Sequence, residues 1–230
     1  MEFHVWEPVY ERILADFGFD RDGDERARDR LAAMSEPFDL ETLPDFAGTT
    51  VAVAGAGPSL ADEADAAAAA DYVVAASGAA TTLRDAGVAV DLAVTDLDGA
   101  PERLAAASHE GLTVAVHAHG DNVDALERWV PEFAADRLLP TTQAEPAGPV
   151  RNFGGFTDGD RAAFLADALG AGTLTFVGWS FDDPAVSELK AKKLRWAERL
   201  LYWLETRRGE RFAVLDGRRE NLTLPTPDGR

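Results

Sequence analysis

From Thr49 onward the chain repeats one unit: a short run that is apolar almost throughout, then a longer stretch with apolar residues at helical spacing. The runs are Val51-Ala52-Val53-Ala54, Tyr72-Val73-Val74-Ala75-Ala76, Asp91-Leu92-Ala93-Val94, Leu112-Thr113-Val114-Ala115-Val116, Leu138-Leu139-Pro140 and Leu174-Thr175-Phe176-Val177. A strand with one wet face alternates; runs without alternation are buried on both faces, which is what helices on both sides of a parallel sheet achieve. The fold class is therefore α/β, a Rossmann-like doubly wound fold with a mostly parallel sheet and right-handed crossovers. Helices are expected from Ser59, Ala79, Pro101 and Asp121, over Asp160 to Leu169, and over Pro184 to Thr206. A last strand is expected at Phe212-Ala213-Val214-Leu215, ahead of a polar tail. Upstream, Trp6, Val9, Tyr10, Ile13, Leu14 and Phe17 fall at helical spacing, and a second helix is expected from about Asp24 to Met34. Residues 1–47 thus read as a small helical N-terminal segment and residues 48–230 as the α/β domain that carries the chemistry.

Charge narrows the partners. The formal net charge is −19, with 41 acidic against 22 basic residues. A nucleic acid or an anionic membrane needs Lys and Arg to neutralise phosphates, so neither is an expected partner. Only Lys190, Lys192 and Lys193 are lysines, and Asp, Ala and Val are abundant. That style resembles proteins of extreme halophiles, whose acidic surfaces stay hydrated in concentrated salt, and on this reading most of the charge says nothing about substrate. The absence of Cys excludes disulfides, thiolate catalysis and Cys-ligated metals. No basic leader with a long apolar run opens the chain, and no stretch approaches a membrane span, so a cytoplasmic protein is expected.

The chemistry-bearing motifs sit after the apolar runs, where such a sheet opens its ligand crevice. Thr95-Asp96-Leu97-Asp98-Gly99 follows one run and His117-Ala118-His119-Gly120-Asp121-Asn122 the next. Carboxylates at neighbouring strand ends suit a hard divalent cation such as Mg²⁺ clamped on substrate phosphates; alone, Asp96 and Asp98 also read as turn or capping residues. Gly55-Ala56-Gly57-Pro58-Ser59-Leu60 places Gly55, Gly57 and Ser59 where backbone N–H groups could cradle an anion, the alternative being a plain tight turn. Leu60 and Ser77 stand where a dinucleotide fingerprint needs a glycine and an acid, which argues against NAD. His117-x-His119 lacks the further histidines of a hydrolase metal site. One imidazole is expected to face the crevice, the other to be structural; Asp121 and Asn122 equally read as helix caps. In Gly154-Gly155-Phe156-Thr157-Asp158-Gly159-Asp160-Arg161 the glycines allow a lid or close backbone approach, Thr157 and Asp158 can cap or contact ligand, and Arg161 can reach a phosphate or pair with an Asp. Lys190 and Lys193, three apart, share one helical face that points either into a site or into solvent.

Together, Ala54 to Leu60, Thr95 to Gly99, His117 to Asn122, Gly155 to Ala162 and Lys190 to Leu194 resemble, in order and context, the archaeal 6-hydroxymethyl-7,8-dihydropterin pyrophosphokinase family. That resemblance implies ATP-dependent diphosphoryl transfer to the hydroxymethyl group of the dihydropterin, releasing AMP, with Mg²⁺, in folate or methanopterin synthesis. The implied fold is similar to the catalytic domain of thiamine pyrophosphokinases, which assigns Asp96, Asp98 and Asp121 as metal ligands. His119 is a candidate base, and Asp158 or Asp160 an acceptor for the pterin 2-amino and N3 hydrogens. Gly178-Trp179-Ser180-Phe181-Asp182 departs from the pattern, which calls for an acid near position 180. The runner-up is a motility-associated glycosyltransferase-like protein using a nucleotide sugar, on the Gly-x-Gly-Pro-Ser-Leu turn; a non-catalytic nucleotide-binding module is a third reading. A homodimer is left open.

Overall fold

The computed structural model describes residues 1–226; the last four residues of the expected polar tail lie outside it. Two helices come first, α1 (Phe3–Phe17) and α2 (Arg21–Ala32), and then strand and helix alternate. The strands are β1 (Thr50–Ala54), β2 (Tyr72–Ala76), β3 (Leu92–Thr95), β4 (Thr113–Ala118), β5 (Leu138–Thr142) and β6 (Thr173–Val177). Between and after them lie α3 (Ala64–Ala68), α4 (Ser77–Asp85), α5 (Pro101–His109), α6 (Val123–Trp129), α7 (Asp158–Ala168) and α8 (Glu188–Arg208). All six strands pair in parallel in the order β5-β4-β3-β2-β1-β6. Every strand therefore ends at the same edge of the sheet, where the loops that carry the motifs converge.

Strand parity divides the interior in two. Val51, Val53, Val74, Leu92, Val94 and Leu139 face one layer together with Trp6 and Ile13 of α1, Phe164 of α7, and Leu200 and Trp203 of α8. Ala52, Ala54, Val73, Ala75, Ala93 and Val114 face the other, with Leu83 of α4, Leu104 of α5 and Leu126 of α6. The N-terminal helices belong to these same layers: Trp6 stacks on Trp203 at 6.4 Å, and Leu31 of α2 is fully buried. No helix of the described residues is long and apolar enough to cross a membrane.

Four expected elements differ, each for a local reason. Residues 58–63 form turns and α3 is only five residues long, because the Gly55 and Gly57 amides donate to the carbonyls of Val177 and Gly178 and draw the loop toward β6. Helix α2 begins earlier than Asp24, where the Asp20 side chain accepts the Asp22 amide. Helix α8 begins at Glu188, not Pro184, with Ser187 Oγ accepting the Lys190 amide. Phe212–Leu215 is no strand: the Phe212 amide donates to Glu205 Oε2 at 2.6 Å and its carbonyl accepts from Arg219 Nη2 at 2.7 Å. With both ladder groups held by side chains, Ala213–Leu215 coils into a 3₁₀ turn and Phe212 packs on Phe176.

Candidate active site

The end of β3 is the centre. Between its two acids, Leu97 takes φ 70°, a left-handed conformation uncommon for a residue with a side chain. Thr95 Oγ1 accepts the Leu97 amide at 2.9 Å and Asp96 Oδ1 accepts the Asp98 amide at 3.3 Å, so the turn is held by its own side chains. This turn places carboxylate oxygens of Asp96 and Asp98 beside Asp158, the first residue of α7; one oxygen from each lies within 4.8 Å of the others. Strain at a turn that aims two carboxylates is characteristic of a functional site.

The three carboxyls do not titrate alike. Burial pushes Asp96 up, but the hydrogen bond from His119, with Nε2 3.4 Å from Oδ2, and the Arg161 charge overcome it and hold the group well below the ordinary carboxylate range. Asp158 is pushed far up by burial and then by the Asp96 charge, and Asp98 is pushed up by desolvation and by Asp96 against the pull of Lys190 and Lys193. Three carboxyls crowded this closely resist sharing negative charge, and a divalent cation among them relieves that conflict. Hard oxygen donors with an open side toward a cavity fit such an ion.

Two cavities meet at this point. The larger, about 300 Å³, is lined by Gly55, Gly57, Ser77, Gly78, Asp96, Asp98, Thr157, Asp158, Trp179, Lys190 and Lys193, among others. Helix α4 opens onto it, its first N–H groups at Ser77 and Gly78 unpaired within the helix. The Trp179 ring forms part of the wall, anchored by Nε1 to the Val53 carbonyl at 3.0 Å and set so tightly over Gly159 that a Cβ there would lie 2.9 Å from it. The smaller cavity, about 160 Å³, is lined by Phe19, Asp20, Asp24, Arg26, His119, Asp121, Gln143 and Arg161; Asp96, Phe156 and Lys193 face both.

Several expected residues build the site from behind and line neither cavity. Asp160 is fully buried and accepts the Phe156 and Thr157 amides and the Thr157 hydroxyl, the last at 2.6 Å, which caps α7 and fixes the approach of the glycine loop. Gly155 has φ 94°, and a Cβ there would stand 2.6 Å from Arg161 Cα. Asn122 ties three segments: Oδ1 accepts the His119 amide, while Nδ2 donates to the carbonyls of Asp96 and His117. His117 is buried against Thr141 at 3.1 Å, and desolvation holds its imidazole well below the ordinary range, so it is neutral. Ser59, on the redirected loop, is in the lining of neither cavity. Gly55 and Gly57 do line the larger cavity, but their amides, expected to meet an anion, are taken by the carbonyls of Val177 and Gly178; a Cβ on Gly57 would lie 2.6 Å from the Gly178 oxygen, so what these glycines permit is loop-on-loop packing.

Asp121 is the other difference. It lies exposed on the rim of the smaller cavity, outside the carboxylate group, where Asp158 stands instead. The His119-Gly120 turn carries it away from Asp96, and Gly120 packs against Gly23 of α2 so closely that a Cβ on either would sit 3.3 Å from the other's backbone. His119 itself has Nε2 on Asp96 and Nδ1 facing the Asp121 amide at 3.5 Å, an arrangement that orients Asp96 and leaves no lone pair aimed at a substrate.

Sequence reasoning passes over the support of Arg161. This side chain is buried, with Nη1 3.0 Å from Asp158 and 3.8 Å from Asp96, while Nη2 donates to Gln143 Oε1 at 3.2 Å. Gln143 in turn donates to Asp24 Oδ2 at 2.7 Å, which also accepts the Tyr10 hydroxyl at 2.8 Å. A polar chain thus runs from α1 and α2 to the carboxylates. Gln143 carries no signal in the sequence, and Asp24 reads there only as a helix start. Near the departure at position 180, Ser180 and Asp183 both face the larger cavity, so an acid is present three residues later.

Lys190 and Lys193 face Asp98 across the larger cavity. Lys192 points elsewhere: Nζ bonds Asp16 of α1 at 3.1 Å and sits over the Phe17 ring at 4.5 Å.

Over residues 27–185 the chain matches the MptE-like family model, described as 6-hydroxymethylpterin diphosphokinase. It is 42% identical over 224 residues to the 6-hydroxymethyl-7,8-dihydropterin pyrophosphokinase of Methanothermobacter thermautotrophicus, covering 89% of this chain and 96% of that one. The enzymes of the same name from Pyrococcus furiosus and Methanocaldococcus jannaschii are 40% and 31% identical, again over 89% of this chain and 95% and 96% of theirs.

Proposed function

The chain belongs to the MptE-like family of 6-hydroxymethylpterin diphosphokinases, and on that premise we propose that it transfers the β,γ-diphosphate of ATP to the hydroxymethyl group of 6-hydroxymethyl-7,8-dihydropterin. The observation that carries the reading is the junction of two cavities at Asp96, with three carboxylates and two lysines around it. Two substrates must meet there in line, and positioning with charge neutralisation supplies most of the catalysis in such transfers.

In the reaction the hydroxymethyl oxygen bonds to the β-phosphorus and the bond from that phosphorus to the α,β-bridging oxygen breaks. AMP leaves with that electron pair and the hydroxyl proton is released to water. Asp96, Asp98 and Asp158 are the residues that would hold a divalent cation, which we take to be Mg²⁺; when bound, it neutralises charge on the phosphate oxygens. Lys190 and Lys193 hold the phosphate chain from α8, and the N–H groups of Ser77 and Gly78 face it from the opposite wall. Arg161 and His119 keep Asp96 ionised and aimed. Thr157, at the cap of α7, closes the cavity beside Asp158.

The test is nucleotide stoichiometry. Protein, Mg²⁺, ATP and the reduced hydroxymethylpterin should give AMP and pterin diphosphate one for one. ADP as the main nucleotide product would mean attack at the γ-phosphorus and would overturn the reading.

A further inference from the structure

Which substrate takes which cavity follows from size, one unpaired carboxylate and one exposed ring, given the diphosphoryl-transfer reading above, on which the assignment rests. A triphosphate needs cations and backbone N–H groups, and the larger cavity holds Lys190 and the start of α4, with Lys193 at its junction with the smaller one. The smaller one sets the carboxylates of Asp20, Asp24 and Asp121 beside Arg26, Arg161 and Lys193. The Arg161 guanidinium there is already bound to Asp158 and Gln143. Carboxylate acceptors on such a wall suit a neutral ligand rich in N–H donors.

Its rim is aromatic. Among the described residues the exposed large hydrophobics are Phe19, 38% exposed, and Leu189. Phe19 stacks with Phe17 at 5.1 Å and 24°, and Phe17 meets Phe156 at 5.1 Å, so three rings run from the surface into the cavity. A half-exposed ring at a cavity mouth is a platform for a flat ligand. On the same rim the Asp121 carboxylate makes no hydrogen bond or ion pair with any other described residue, whereas Asp24 is engaged by Tyr10, Gln143 and the Gly120 amide.

We propose that the smaller cavity seats the pterin ring, stacked on Phe19 and Phe156, with Asp121 accepting from the 2-amino and N3 hydrogens and the hydroxymethyl arm reaching the Asp96 junction. Asp121 is then the residue that reads the ring edge, through paired hydrogen bonds of the kind a carboxylate makes with two adjacent N–H donors. The volumes agree in order: about 160 Å³ here against about 300 Å³ for the larger cavity, the smaller space for the smaller substrate.

The experiment measures the KM of both substrates for the full chain with Mg²⁺, in the wild type, Phe19→Ala, Phe19→Tyr and Asp121→Asn, with thermal melts to show that the variants are folded. Phe19→Ala and Asp121→Asn should each raise the dihydropterin KM about five- to tenfold and leave the ATP KM within about twofold, and Phe19→Tyr should restore it. A rise in the ATP KM instead would place the nucleotide base in this cavity and overturn the proposal. An active wild type whose pterin KM is unmoved in both variants overturns the seat while leaving the activity standing. Loss of kcat in Asp121→Asn with the pterin KM unchanged would return Asp121 to the metal and overturn its role at the ring edge. A wild type that forms no AMP overturns the activity reading and this assignment with it.

Discussion

At the scale of single residues the site depends on charge placed within a few ångströms. Asp98→Asn removes one oxygen anion from the group of three and keeps the shape of the turn, whose amide contact to Asp96 is made by the backbone of residue 98. Turnover should fall about a thousandfold or more, several kcal/mol of transition-state stabilisation, with an unchanged melting curve. Near-wild-type activity across a Mg²⁺ titration would reduce Asp98 to a turn residue. The lysines make a second comparison inside one helix. Replacing Lys190 or Lys193 by Ala should raise the ATP KM or lower kcat roughly tenfold, since a charge-assisted phosphate contact is worth about 1.5–3 kcal/mol. Lys192→Ala loses its half-exposed tie to Asp16, a pair worth about 0–1 kcal/mol, and its place over the Phe17 ring, neither of which reaches the larger cavity, and should leave the ATP kinetics alone. Equal, small kinetic effects at all three positions would make the cluster a solvated face. Residue spacing brings Lys190 and Lys193 together, because a helix has a fixed period. It does not bring Asp158 to Asp98, because nothing in residues 143–157 announces that this loop folds back over β3.

Elements carry the next layer of constraint, and here the difference between what a sequence discloses and what it conceals has a physical basis. Runs such as Val51 to Ala54 disclose themselves because a strand buried on both faces excludes polar side chains. Phe212 to Leu215 has the same apolar look, yet its fate is set by Glu205 and Arg219, which capture its amide and carbonyl from other segments. Periodicity cannot register a partner of that kind. That capture has a pH signature. Burial raises Glu205, but the Arg219 hydrogen bonds and the Phe212 amide outweigh it and hold the carboxyl below its ordinary value. A depressed folded pKa contributes stability that is present above the unfolded value of 4.5 and is lost as pH falls toward the folded one. Thermal melts between pH 7 and pH 3 should therefore show a shallower acid decline in Glu205→Gln, on a lower plateau at neutral pH; a parallel curve would assign the acid sensitivity elsewhere. The glycine loop ahead of α7 is constrained differently. Gly155→Ala places a methyl 2.6 Å from the Arg161 backbone at φ 94°, which should cost about 2 kcal/mol or more and displace Arg161 from Asp158. A variant with wild-type Tm would show that the loop has room to shift.

Across the whole molecule, surplus negative charge outweighs every other electrostatic feature. Most arginines are engaged: Arg21 meets Glu7, Glu11 and Glu25, Arg208 meets Asp167 and Glu210, and Arg219 meets Glu205 and Asp216. These pairs consume the basic residues locally and leave the excess of 19 acids spread over the surface. Salt acts on the two populations with opposite sign. It weakens exposed pairs, each worth about 0–1 kcal/mol, and it relieves the long-range repulsion among unpaired carboxylates, whose reach shrinks from about 10 Å at 0.1 M to about 3 Å at 1 M. Because the pairs are short and partly desolvated while the repulsion acts over many separations, the second effect should win. Raising KCl from about 0.1 to about 1 M should lift Tm by about 5 °C or more, at about 2–4 °C per kcal/mol for a domain of this size. NaCl must do the same, which separates screening from specific cation binding. A further rise in KCl should add progressively less, since screening saturates once the Debye length is shorter than the spacing between carboxylates. A flat or falling Tm over the first step would mean that the ion pairs, and not the surplus acids, set the salt response of this fold.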